Sequence, residues 1–470
     1  MNRRAGLALL LLAPAPLAAQ GLDRGKAPEL TDPPAFRAPS VGTATLPNGI
    51  RLYVVELREV PLVQVSVAVE GGSRLDGEVP GLASFTAGML DEGAGSRDAV
   101  GIASEVAYLG ASLFSGASWD ANSVSLRAPK RTLEPALDLL ADVLFRPTFP
   151  AAEVARQRDL RIAQIIQQRD QPGAVANLAF NSLVFPAGHP YHRPSSGDSS
   201  SVASFDSAMV RGFYERSYRP DRTRIIVTGD ITLAEAEAAL SRRLGGWRGA
   251  SVPAAVARGG TAAAGPSRIY LIDKPGAAQS VIIIGNPGIE RSDPDYFAIE
   301  VMNTILGGSF SSRLNTILRE TKGYSYGARS GFSYRRLPGP FTASSQVRTD
   351  VTDSSLVEFF REFRRIRDEP VGADELARAK AYLALGLAAD FETTGQVAGQ
   401  LGELLAYDLP LDWHNTYVQR VMAVTAADVQ RVAQRLIRPE QMTITVVGDV
   451  AAIREGVERL GLAPLELYTP

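Results

Sequence analysis

The sequence predicts an α+β fold built twice from one design, each copy a mostly antiparallel sheet with helices packed on it. Three observations carry this. The segments "RPDRTRIIVTGDI" from Arg219 and "RPEQMTITVVGDV" from Arg438 align without a gap, 219 residues apart. Upstream of them, "AAEVARQR" from Ala151 and "GADELARAK" from Gly372 correspond in the same order. Two ordered matches indicate an internal duplication. In both halves, strands joined by short loops come first and long helices follow. That order favours antiparallel pairing, with helices layered on one face of the sheet.

Along the chain, "MNRRAGLALLLLAPAPLAAQ" comes first. Arg3 and Arg4 form a basic start, Gly6 to Leu12 a short apolar core, and Leu17-Ala18-Ala19 a cleavage site. Residues 1–19 read as a secretory signal peptide, too short to span a bilayer. The mature protein is expected to be exported, periplasmic or secreted, without a membrane span. Residues 20–42 read as an extended leader. The first domain, 43–248, opens with "TATLPNGIRLYVVEL" and "LVQVSVAVE", whose apolar residues alternate as in strands. "GLASFTAGML" from Gly81 reads as an amphipathic helix with only Ser84, Thr86 and a glycine on its polar face. "SLFSGASWDANSVSLRAP" supplies further strands, and several long helices follow. "GASVPAAVARGGTAAAGPS", 249–267, has no periodicity and reads as a linker. The second domain, 268–462, repeats the order from "RIYLIDK" and "SVIIIGN" onward. Gly229-Asp230 and Gly448-Asp449 each lie between a strand and a helix, where the aspartate reads as a helix cap.

Composition narrows the chemistry. The net charge of −2 gives no global basic field for nucleic acid. The absence of cysteine excludes disulfides, thiolate metal sites and cysteine nucleophiles. Only three histidines exist, His189, His192 and His414, too few for a histidine-rich metal site. Prolines flank the pair in "HPYHRP", which reads as a structural loop. His414 reads as a helix-surface or interdomain residue.

"GLASFTAGMLDEG", "GGSFSSRLNTILRETKGYSYGARS" and "YRPDRTRIIVTGD" with its repeat resemble the insulinase family, which includes pitrilysin, mitochondrial processing peptidase and bacterial relatives. The resemblance covers about residues 43 to 460. It implies two homologous α/β-roll domains forming half of a clamshell that closes on an unfolded peptide. Active members carry His-x-x-Glu-His on the helix matching Gly81 to Met89. Histidines four apart share a helix face and reach one zinc, and the glutamate activates its water. A later glutamate completes the ligands. Here the histidine positions are Ser84 and Gly88, the base position is Ala87, and the distal ligand falls on Gln164. An asparagine used near the cleavage site falls on Phe114.

A hydroxyl, a bare α-carbon and an amide are poor zinc donors. No His-x-x-Glu-His or His-Glu-x-x-His occurs anywhere. No cofactor is therefore expected in this chain. The second half keeps what the first has lost. Arg319 and Tyr326 match the family's C-terminal Arg/Tyr pair, which contacts the substrate carbonyl. Gly307, Gly308, Ser309 and Phe310 resemble a short form of the glycine-rich, substrate-binding loop of the noncatalytic mitochondrial subunit. The strand at Ser112–Trp119 matches the family's edge strand. The resemblance implies a noncatalytic, substrate-binding subunit of an exported heterodimeric zinc peptidase. The zinc would belong to a homologous partner subunit, and unfolded peptides would be the substrate. The alternative is a scaffolding homologue with no peptidase role, like the core subunits of respiratory complexes.

Overall fold

The computed structural model describes residues 33–249, 262 and 264–469. The expected signal peptide, the first part of the leader and most of the linker lie outside the described residues.

The first half holds β1 (Gly42–Thr45), β2 (Arg51–Glu56), β3 (Leu62–Glu70), a short hairpin of β4 (Gly93–Ala94) and β5 (Arg97–Asp98), then β6 (Ser112–Ala117), β7 (Ala121–Pro129) and β8 (Thr223–Gly229). Its main sheet runs β1-β2-β8-β3-β7-β6, antiparallel except between β2 and β8. The second half holds β9 (Arg268–Asp273), β10 (Gln279–Pro287), β11 (Ser325–Phe332), β12 (Pro340–Arg348), β13 (Thr443–Gly448) and β14 (Leu465–Leu467). Its sheet runs β11-β12-β10-β13-β9-β14. Five strands correspond, β2-β8-β3-β7-β6 with β9-β13-β10-β12-β11. The sixth differs: β1 lies antiparallel to β2, whereas β14 lies parallel to β9. The repeated "RPDRTRIIVTGDI" and "RPEQMTITVVGDV" contain β8 and β13, interior strands of the two sheets.

Alternation places one face of each strand in a core. Val63, Val65, Val67 and Val69 of β3 are buried against Val124 and Leu126 of β7. Helix Leu133–Phe145 covers that face through Ala136, Leu137, Leu140, Val143 and Leu144. In the second half, helix Thr352–Asp368 does the same through Leu356, Phe359, Phe360, Phe363 and Ile366. Both sets follow the three-and-four spacing of an amphipathic helix.

Helices on one face alone do not describe these sheets. Helix Pro172–Val184, from the first half, lays Ala176, Ala179 and Phe180 on the opposite face of the second sheet, against Ile272, Ile283 and Val447. Helix Thr394–Ala406, from the second half, lays Val397, Ala398, Leu401 and Leu405 on Tyr53, Val55 and Ile226 of the first. The Thr228 hydroxyl donates to the Thr394 carbonyl at 2.8 Å in that contact. This exchange explains the unbroken "VIIIG" of β10: a strand covered on both faces needs apolar residues on both.

Around the exchange lies a polar cluster. Asp120 pairs with Arg74 at 2.9 Å and accepts from the Tyr191 hydroxyl at 3.3 Å and the Arg336 backbone N–H at 3.0 Å. The Arg335 guanidinium stacks on Trp119 and Tyr191. Tyr191 comes from "HPYHRP". His189 there is buried, stacks on Phe185 and accepts from the Tyr191 N–H at 3.1 Å. The loop is structural.

Two expectations are corrected. Asp449 caps its helix by accepting from Ala452 N–H, but Asp230 pairs with Lys130, and Thr232 with Glu235 caps the helix that follows it. His414 is not on a helix surface. It is buried between Phe391 and Trp413, with Nε2 3.0 Å from the Gln400 amide oxygen. Burial pushes its pKa down to about 4. The unfolded chain protonates this histidine near 6.5 while the fold keeps it neutral, so stability falls as pH drops from 6.5 toward 4. The expected loss from this group is roughly 3 kcal/mol. Urea unfolding across that window should show a shallower pH dependence for His414→Gln.

Candidate functional site

In the first half, Asp76 accepts from the backbone N–H groups of Gly81 and Ala83 at 2.9 and 2.7 Å, fixing the start of helix Leu82–Gly88. Gly81 has φ +90°, and a β-carbon there would meet Gly197 at 2.6 Å. Only glycine suits that crossing. On this helix Ser84 and Gly88 share the partly exposed face, while Ala87 is buried. Neither the hydroxyl of Ser84 nor the bare α-carbon of Gly88 is suited to zinc.

The neighbour of Ser84 is an arginine. The Arg161 guanidinium, on helix Ala151–Gln168, donates to the Ser84 hydroxyl at 3.2 Å and to the Ser196 carbonyl at 3.3 Å. Gln164, the expected distal position, lies exposed on the same helix. Arg161, one turn earlier, is the residue brought to Ser84. Its pKa is lowered by burial, yet an arginine stays charged in proteins. Among the described residues no three His, Asp or Glu side chains are grouped to hold a metal. A hydroxyl facing a cation is a poor nest for zinc, and the residues present do not fit that ion. Phe114 is 66% exposed on β6, an end strand of its sheet.

The second half presents an open cleft of about 660 Å³. Gly307, Gly308, Ser309, Phe310, Arg319 and Tyr326 all line it. Helix Tyr296–Asn303 continues as a π-helical turn, Thr304–Gly308, and a second π-helical turn, Thr316–Thr321, carries Arg319. Such turns often mark functional sites. Tyr326 sits where the register of β11 on β12 shifts, between Ser325 and Ala328. A bulge re-aims a side chain, and Tyr326 is 89% exposed. The Arg319 guanidinium lies 4.6 Å from the Phe310 ring and 3.1 Å from Glu320.

Asn315, which the sequence reading overlooked, ties the parts together. Its amide donates to the Phe310 carbonyl at 2.6 Å, and its oxygen accepts from Ala328 N–H at 3.2 Å. Asn177, also overlooked, reaches the cleft from the crossing helix Pro172–Val184. Gly307 serves the chain itself. A β-carbon there would lie 2.3 Å from the backbone nitrogen of Ser330. Gly307→Ala should therefore destabilise the fold by about 1–3 kcal/mol, read from the denaturant midpoint.

Two family models cover most of the chain. Residues 53–186 match Insulinase (Peptidase family M16), and residues 204–383 match the Peptidase M16 inactive domain. The chain belongs to the insulinase family. Similar proteins include one from Mycobacterium leprae named an uncharacterized zinc protease, 27% identical over 86% of this chain and 91% of the other. The solved structure of a peptidase M16 inactive domain from Pseudomonas fluorescens is 29% identical, with a TM-score of 0.80, covering 92% of this chain and 100% of that one. A chain of Complex III2 from Candida albicans shares the fold at 16% identity and TM-score 0.73, over 90% of this chain and 100% of that one. This insulinase-family chain combines a first-half helix whose Ser84 faces Arg161 and a second-half cleft lined by Arg319 and Tyr326. Among the described residues no helix is long and apolar enough to cross a membrane.

Proposed function

We propose that this chain is the noncatalytic, substrate-binding subunit of an exported heterodimeric zinc peptidase. The metal and its base belong to a homologous partner subunit, and this chain lends Arg319 and Tyr326 to a composite site. One asymmetry carries the reading. Where the resemblance puts the metal, Arg161 faces Ser84, while Arg319, Tyr326 and the Gly307–Phe310 loop line one open cleft. A guanidinium and a phenol donate hydrogen bonds. Aimed at a peptide carbonyl, they orient it and stabilise the negative charge that develops on its oxygen as bond cleavage begins. The loop and the β12 residues Thr342, Ser344 and Gln346 would give the peptide a surface to lie on.

Co-expression with an insulinase-family homologue carrying His-x-x-Glu-His tests the proposal. A stable complex that cleaves unfolded peptides is expected. A chain that forms no such complex, and instead co-purifies with a non-peptidase assembly, would favour the scaffolding alternative.

A further inference from the structure

The cleft has a one-sided charge. Among the described residues its only charged lining residues are Arg319 and Arg329, and no carboxylate lines it; Asn177, Asn315, Ser344 and Gln346 supply neutral polar groups. Arg319 is paired with the half-exposed Glu320 beside it. Arg329 is exposed on β11, and among the described residues no acidic side chain pairs with it. Arg329 stands opposite Ser344 of β12. β11 is an end strand of its sheet, but Asn315 meets its outer edge at the Ala328 N–H and Gly307 lies beside the Ser330 nitrogen, so a bound segment would lie along the cleft and not pair with that edge.

Resting on the peptide-binding reading above, we propose that this cleft selects extended peptides carrying an acidic side chain, held by Arg329. An arginine fork grips a carboxylate through two parallel hydrogen bonds, and a basic side chain placed there would meet only like charge. The register shift between Ser325 and Ala328 takes up one residue, so Arg329 and Tyr326 lie about two strand positions apart, roughly 7 Å. The acidic residue therefore sits about two residues from the carbonyl that Arg319 and Tyr326 would contact. A segment rich in lysine or arginine is the disfavoured class.

The test uses the full mature chain and fluorescent peptides with acetylated and amidated ends, differing only in Glu, Gln or Lys at one position that is stepped along the sequence. At low salt, Glu should bind about tenfold tighter than Gln at one register, and Lys more weakly than Gln, with the differences shrinking as salt rises. In Arg329→Gln the ratio of Glu to Gln affinity should fall toward one, and Arg329→Lys should keep part of it. Equal affinities for Glu and Gln at every register, or a preference that survives Arg329→Gln, would overturn the inference and leave the peptide cleft standing. Tightening caused only by a free C-terminal carboxylate, in a parallel non-amidated series, would also overturn it. If no peptide of any charge binds, the peptide-binding reading itself fails.

Discussion

Arg319→Ala should lower peptide hydrolysis by the proposed heterodimer by about 10²- to 10³-fold, the usual cost of losing one donor aimed at a developing oxyanion. The effect belongs mainly in kcat, because the carbonyl oxygen gains charge as the reaction proceeds. Tyr326→Phe removes a single hydroxyl from an exposed ring and should cost less. Arg319→Lys keeps the charge but not the planar fork, and should restore only part of the rate. Gel filtration of each variant with its partner separates this loss from failed assembly. Unchanged kcat in Arg319→Ala would remove the donor role.

The second large effect concerns Arg161, which faces Ser84. Ser84→His with Gly88→His would place two imidazoles four apart on the helix face, yet zinc should still bind poorly. The Arg161 guanidinium, now 3.2 Å from the Ser84 hydroxyl, would sit beside a dication. Like charges at about 4 Å cost roughly 4 kcal/mol per unit pair at an effective dielectric of 20. Adding Arg161→Glu replaces that repulsion with a carboxylate, a normal zinc ligand. Zinc affinity should rise by about 10³-fold or more, read by calorimetric titration. Equal affinity with and without the Arg161 change would show that the guanidinium does not guard the position.

The duplication was legible because its clearest repeat contains β8 and β13, interior strands of their sheets, where burial on both sides restricts the residue choice. The cleft was legible in part. The resemblance singled out Arg319, Tyr326 and Gly307–Phe310, and the fold brings all of them to one wall. The rest depended on tertiary placement. "RIAQIIQQ" drew attention to Gln164, but the helix turns Arg161 toward Ser84; residues one turn apart share a face, and spacing alone could not choose between them. Asn315 carries no motif, and its importance comes from bridging a loop and a strand 13 residues away. The crossing helices left a trace only in the unbroken apolar run of β10. His414 was misread because Phe391 and Gln400, which help to enclose it, reach it only in three dimensions.

The most direct measurement compares the purified chain alone with the same chain mixed with a zinc-bearing homologue, in zinc content and in cleavage of a quenched fluorescent peptide, with and without EDTA. The chain alone should hold no zinc above background and cleave nothing, and the mixture should show EDTA-sensitive cleavage that depends on Arg319. Stoichiometric zinc on the isolated chain, with chelator-sensitive hydrolysis and no partner present, would contradict the assignment.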